Sequence, residues 1–341
     1  MRVSAGSRRT GQRPAVVLAA SLLAVGAAAA APPTFALRYR FSAGQTLIYA
    51  THTSAVGQVT EHSAKTGGPG SLPLGLDISD RTRYEVKSVA ADGTATIEAR
   101  LLQLSLSSTI PGQLALLVDR RADQTEVHCA GKQWTIANNQ VGKPVAEIVA
   151  AAGGWDPLTL LAPTVMTVAT SGQTTRVSGL PWVQRLGQWK PCVGLAPFFQ
   201  PFGPGFLELP DRSLELGAEW DQTRQLPLPG STSSYPLQVV FGVEGKQTLG
   251  KDETAKIGFE GAATLQDKTI RVEVETGSVP VVLETLTHHL RGGLNFNCEA
   301  GRLVEQHLKS ELSTVGVGGP NHETTIESSV TVEATMSLMP E

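Results

Sequence analysis

The sequence is poor in the residues that most often carry chemistry. Three cysteines in 341 residues, with no C-x-x-C pair, exclude a zinc ribbon, a thioredoxin motif and a dense disulfide scaffold. Charged residues make up only 17% of the chain and the net charge is −3. The basic stripe of a nucleic-acid-binding protein and the polybasic patch of a membrane-surface binder are therefore both missing. There is no G-x-S-x-G nucleophile elbow and no P-loop. The glycine-rich run Gly316-Val317-Gly318-Gly319 meets Pro320 where a dinucleotide-binding helix would open. His322-Glu323 starts like a zinc-protease motif but lacks the second histidine. His288 and His289 are adjacent, and adjacent side chains on a strand point to opposite faces, so they do not share a metal. No cofactor, metal or catalytic residue follows from these patterns.

The clearest positive signal is at the N-terminus. Arg2, Arg8, Arg9 and Arg13 precede an apolar run, Ala15 to Ala31, that ends in small residues before Pro32 and Pro33. Basic, apolar, small is the layout of a secretory signal peptide, which predicts residues 1–31 as a leader cleaved within Ala29 to Ala31, with Thr34-Phe35-Ala36 as a second candidate site. Arg8-Arg9 is not followed by the apolar pair of a twin-arginine signal. No cysteine follows the run to take a lipid anchor. Later segments contain no stretch of 18 apolar residues, so no transmembrane anchor is expected after cleavage. The expected location is periplasmic or extracellular.

The remaining chain reads as mainly β. Ile326, Ser328, Val330, Val332, Ala334, Met336 and Leu338 alternate with Glu327, Ser329, Thr331, Glu333, Thr335 and Ser337. That period of two predicts a strand with one buried and one wet face. Tyr84, Val86 and Val89 lead through Asp92-Gly93 into Ala95, Ile97, Ala99 and Leu101, a hairpin signal. Several runs exceed the usual five or six residues, which points to large, curved antiparallel sheets. The expected organisation is an N-terminal β half (32–140), a helical and Pro/aromatic-rich linker (141–208) and a C-terminal β half (209–341).

Helix is predicted only in the middle. Val145, Ile148, Val149 and Ala152 form an i, i+3, i+4, i+7 stripe between Pro144 and Gly153-Gly154. Asp156-Pro157 reads as an N-cap with proline at the first helical position, and Pro181 to Gln188 as another short helix. From Leu180 to Pro210 the chain then carries Trp182, Trp189, Phe198, Phe199, Phe202 and Phe206 among six prolines. Those aromatics either fill a core or form a ligand cover.

Three landmarks recur in order in the two halves. Gly44 and Gly217 each precede an aromatic, Asp92–Ile97 resembles Asp252–Ile257, and Cys129-Ala-Gly131 resembles Cys298-Glu-Ala-Gly301. A duplicated half-barrel-like unit is the expectation. Cys129 and Cys298 occupy matching places in it and are candidates for a disulfide in an oxidising compartment. Cys192 is a third thiol that leaves the pairing open.

With these landmarks the chain resembles an uncharacterised family of exported bacterial β-rich proteins. The similar stretches are Leu209 to Trp220, Asp252 to Ile257 and Asn295 to Leu303. The resemblance implies an architecture similar to periplasmic lipoprotein carriers, a curved antiparallel half-barrel with helices on its concave side. It implies no activity and no catalytic residues. Cys129 and Cys298 depart from it, standing where ordinary strand residues are expected.

Three functions are compatible with this reading. The first is an exported, non-catalytic envelope protein that holds a lipid or acyl chain on a concave sheet face. Its cover would be built from Val145, Ile148, Val149, Trp182, Trp189, Phe198, Phe199 and Phe202. The second is a structural protein of the cell envelope with a filled core, whose partner is another envelope protein. The third is a secreted hydrolase with a site assembled across the fold.

Overall fold

The structure is a computed structural model. It describes residues 34–63, 70–109, 115–141, 143–189, 206–228, 234–274, 277–318 and 324–340. The leader, Cys192, Phe198, Phe199 and Phe202 lie outside the described residues.

The described chain is dominated by strands. In order they are β1 (Thr34–Ala36), β2 (Thr46–Ser63), β3 (Gly70–Val89), β4 (Ala95–Ser108), β5 (Ala115–Arg120), β6 (Gln124–Cys129), β7 (Lys132–Ala137), β8 (Thr164–Val168), β9 (Thr174–Ser178), β10 (Ser213–Glu215), β11 (Glu219–Pro227), β12 (Ser234–Leu249), β13 (Asp252–Val274), β14 (Gly277–Asn297), β15 (Arg302–Gly318) and β16 (Thr324–Leu338). Two short helices, α1 (Ala146–Ala151) and α2 (Trp182–Leu186), interrupt them. Fourteen of the strands form one open antiparallel sheet, with β1 and β10 pairing separately. The sheet path is β11-β12-β13-β14-β15-β16-β2-β3-β4-β5-β6-β7. Register shifts at Val243/Gly245, Leu283/Thr285, Arg81/Thr82 and Val86/Ser88 are places where such a sheet bends and twists.

The two β halves meet within the sheet itself. They are joined edge to edge by β16 and β2, paired from Thr324↔Ser63 to Leu338↔Tyr49. The last strand of the chain and the first long one are neighbours at the centre of a single sheet.

Alternation decides which face is buried. On β12, Tyr235, Leu237, Val239, Phe241 and Val243 are buried while Ser234, Pro236, Gln238 and Val240 are exposed. Each such side chain is worth about 1.5–3 kcal/mol of burial, so a one-residue slip of this strand would forfeit its whole inward set. The buried face holds two large clusters. One spans β11 to β15 with Phe35, Leu37, Tyr39, Leu207, Leu209 and Leu214 laid over it. The other joins β3 to β6 with α1, α2 and the turn Pro157–Leu161.

Duplication is visible in the first three strands of each half. Gly44 N–H donates to the Val86 carbonyl and Val86 N–H to that of Gln45. Gly217 N–H donates to the Val243 carbonyl and Val243 N–H to that of Ala218. Both glycines sit at positive φ, +83° and +79°, a conformation that favours glycine. A bulge follows Val86 and Val243 alike, and the two valines face Ile97 and Ile257. The third landmark does not correspond. Gly131 closes β6 to β7, the fifth and sixth strands of its half, whereas Gly301 closes β14 to β15, the fourth and fifth. In an up-and-down meander that difference of one strand puts the two turns at opposite ends of the sheet.

Candidate functional site

The cover predicted from the helical segment lies on the apolar face of the N-terminal half. Val145 remains extended and α1 begins at Ala146, directing Ile148 and Ala152 into the core. Val145 and Val149, the other half of the predicted stripe, are only half-buried. The Asp156 carboxylate accepts from Leu158 N–H at 3.0 Å, the predicted cap. The turn it opens buries Leu158, Leu160 and Leu161. Trp182 and Trp189 are both buried, and Trp189 stacks on Trp155 with ring centroids 5.0 Å apart. Trp189 Nε1–H donates to the Ala152 carbonyl at 2.9 Å, tying the end of α2 to the end of α1. The buried Arg185 guanidinium donates to the carbonyls of Thr159, Ala162 and Pro163, which pins α2 to the turn. Five of the eight predicted cover residues are thus described, and Ile148, Trp182 and Trp189 are the ones buried there.

Cys129 and Cys298 are not brought together. Both are free thiols. Cys129 is buried in the N-terminal cluster, and Cys298 lies against the C-terminal one. The pairing expected from the repeat fails with its third landmark.

Between the two clusters the same face changes character. β16 is central in the sheet, yet Val330, Ala334, Met336 and Leu338 on its inner face are only half-buried; Val332 alone is fully buried. The adjoining row runs Gln306, Met336, Thr51, Asp80 by strand register. Thr53 and Thr82 border it, and both are buried. Asp80 is 7% exposed, accepts from the Thr82 hydroxyl at 3.0 Å and faces Thr51. Burial, only partly offset by those hydroxyls, pushes its carboxyl up to about 7. Sequence inspection passed over this residue. Its signal was there, since Asp80 falls in the inward phase of Leu76, Ile78, Asp80, Thr82 and Tyr84.

A second polar group interrupts the apolar face of the C-terminal half. His288 Nδ1 lies 2.7 Å from the Tyr235 hydroxyl and His288 Nε2 2.7 Å from Ser310 Oγ. All three side chains are buried. Burial, with the nearby charge of His289, lowers His288 to about 4, so its imidazole is neutral near pH 7. His289 is exposed, and the opposite-face reading of the histidine pair holds. Among the described residues no group of three His, Cys, Asp or Glu side chains could hold a metal.

The outer face carries a cavity of about 870 Å³ across β11 to β16. Its lining includes Gly242 and Gly258, which are register partners, and Gly292. The Glu244 carboxylate lies over Gly258 and the His307 ring over Gly293, in space that a Cβ would otherwise take. Glu260, Arg291, Lys309 and Glu333 form the next row, with Lys309 Nζ 2.9 Å from the carboxylate of Glu311. Two cations flanked by two carboxylates in one outward-facing row are a solvated face.

No protein-family model matches the chain, and no curated protein matches it. Among solved structures, lipovitellin, from a study of its lipid–protein interactions, aligns with a TM-score of 0.40 at 8% identity, over 88% of this chain and 26% of that one. The chain thus spans about a quarter of lipovitellin's length. OccK7 (OpdD) of Pseudomonas aeruginosa aligns with a TM-score of 0.19 at 6% identity, over 87% and 100%. A DUF1329 family protein of Desulfovibrio piger aligns at 0.12 and 6%, over 82% and 83%. Scores this low carry no functional argument.

Proposed function

We propose that this chain is an exported, non-catalytic binding protein that holds an apolar ligand, a lipid or acyl chain, on the inner face of its sheet. The observation that carries the reading is the half-buried inner face of β16. A central strand flanked by covered neighbours is ordinarily the best-covered strand of a sheet. Here Ala334, Met336 and Leu338 are left half-buried between two separately packed clusters. From Ala334 to Leu338 that seam runs ~13 Å at the usual rise per residue, a length that seats part of an acyl chain. The apolar stripe of β16, bordered by the polar row Gln306, Thr51 and Asp80, suits a lipid whose chain lies on the stripe better than a sugar or nucleotide. The leader-like N-terminus supports delivery to the envelope, and no helix among the described residues is long and apolar enough to cross a membrane.

The test is native mass spectrometry and solvent extraction of protein purified without detergent, followed by uptake of a fluorescent fatty acid. Co-purified lipid or saturable uptake, competed by unlabelled fatty acid, is the expected result. An empty protein that takes up no probe would leave the alternative of a structural envelope protein with a filled core. The fully buried Ile148, Leu158, Leu160 and Leu161 favour that alternative at the N-terminal cluster.

A further inference from the structure

On the outer face, at the opposite half of the sheet from the glycine-lined cavity, one edge of β4 forks. Residues 103–107 of β4 pair with β5, and residues 95–99 pair with β8. Residues 100–102 between them have no strand partner on that edge. A cavity of about 480 Å³ opens at the fork, lined by Arg83, Lys87, Arg100, Arg120, Arg121, Glu85 and Glu98, with Leu102, Ala122 and Asn138. Asn138 fixes its rim by donating to the carbonyls of Arg121 and Ala122 at 2.8 and 2.9 Å.

The charges at this fork do not balance. Five cations line the cavity against two carboxylates. Arg83 and Arg100 are direct cross-strand partners, as are Glu85 and Glu98, and like charges directly opposite are unfavourable. The glutamates are relieved. Lys87 Nζ lies 2.6 Å from Glu85 and 3.6 Å from Glu98. Glu98 also accepts from Arg100 Nε at 2.6 Å, and Glu85 from Arg83. Arg121 is engaged by Asp119 and Glu126 at 3.2 and 3.0 Å. The arginines are not relieved to the same degree. The Arg83 Nε is buried without an acceptor. Arg120 makes no side-chain hydrogen bond or ion pair with any described residue. Desolvation, then the charges of Arg100 and Arg83, hold its guanidinium below the ordinary value.

We propose that the fork between β5 and β8 is an anion site for a phosphoryl group, gripped by Arg83, Arg100 and Arg120. Guanidiniums present planar forks of N–H donors that match the oxygens of a phosphate. A dianion here meets three converging cations and supplies acceptors for the Arg83 Nε and the unengaged Arg120. A single carboxylate offers one charge and two oxygens, too few to satisfy three guanidiniums. The phosphoryl group can belong to a free phosphate or to a phospholipid headgroup, and the experiment separates the two. The inference does not depend on lipid binding at the inner face.

Calorimetric titration of the full-length protein with inorganic phosphate is the first arm. Flotation with phosphatidylcholine vesicles, with and without phosphatidic acid, is the second. Saturable phosphate binding is expected, with chloride at the same ionic strength giving none. Arg120→Gln should weaken it by about tenfold or more, while Arg38→Gln, on an exposed arginine paired with Asp211, leaves it unchanged. Vesicle capture that requires phosphatidic acid and is lost in Arg120→Gln would assign the headgroup; phosphate binding without such capture would assign the free anion. Without phosphate, Arg120→Gln should unfold at the same temperature as the parent or higher, because it removes a repulsion. The thermal shift that phosphate gives the parent should be absent in the variant. The site is overturned if phosphate binds neither saturably nor in preference to chloride, or if Arg120→Gln binds it as well as the parent. It is equally overturned if the variant melts lower than the parent in phosphate-free buffer, since that marks Arg120 as structural.

Discussion

Asp80 and His288 are two buried titratable groups on the inner face of the sheet, and their effects on stability have opposite signs. The Asp80 carboxyl is raised from 3.8 to about 7. Between those values the unfolded chain has lost the proton and the folded chain keeps it, so stability falls as pH rises. The full cost, present above pH 7, is on the order of 4 kcal/mol. His288 is lowered from 6.5 to about 4. Between those values the unfolded chain takes up a proton that the folded chain refuses, so stability falls as pH drops, by roughly 3 kcal/mol in all. From about pH 4 to 6.5 the two slopes oppose and the parent curve is flattened. Asp80→Asn removes one of them. Urea unfolding should find this variant more stable than the parent at pH 8, by on the order of a few kcal/mol, and equal to it near pH 4. A difference that does not change with pH would mean that the substitution acts through packing. Asp80 was legible in the sequence as a charge in the wrong phase of an alternating strand. Tyr235, His288 and Ser310 were not, because they come from three strands and only the sheet register brings them together.

At the scale of elements, punctuation was readable and edge pairing was not. Pro144, Gly153-Gly154, Asp156-Pro157 and Pro181 bound the short helical turns, and each forms where the spacing predicts, within two or three residues. The hairpin of β8 and β9 was missed inside the segment expected to be helical. Thr164 to Val168 is a strand because it finds the free lower edge of β4, from Ala99↔Thr164 to Ala95↔Val168. That partner lies more than sixty residues away in sequence, so no local pattern reports it. The same docking creates the fork and its arginine-lined cavity. The cover can be tested residue by residue. Leu160 is fully buried between the turn and the sheet. Leu160→Ala is expected to cost about 2–5 kcal/mol, whereas Val145→Ala, at a half-buried position, should cost well under half of that. Equal losses at the two positions in chemical denaturation would show that the cover is not packed as described.

For the whole molecule, the alternation of the last segment was enough to predict a one-sided strand, but its place in the sheet was invisible. The expectation of two sheet units bridged by a linker followed from chain order: a Pro- and aromatic-rich stretch separates the halves in sequence. Register overrides chain order here. β16 lies between β15 and β2 and pairs along its whole length on both edges. Its removal would not trim the sheet at one end. It would divide the sheet into two pieces, each with a long unpaired edge, a template for aggregation. It would also take Val332 out of the core of the N-terminal cluster and Ala334, Met336 and Leu338 away from the C-terminal one. The described residues accordingly form one compact unit, and their unfolding should be a single transition. Two halves that were independent domains would melt separately, and a chain ending at Gly318 would keep the N-terminal half folded. The expected outcome is one calorimetric transition for the full-length protein, with van't Hoff and calorimetric enthalpies that agree. The chain ending at Gly318 should be insoluble or lack cooperative melting. Two resolved transitions, or a soluble truncation with a native-like melt, would mean that the β16–β2 ladder does not couple the halves.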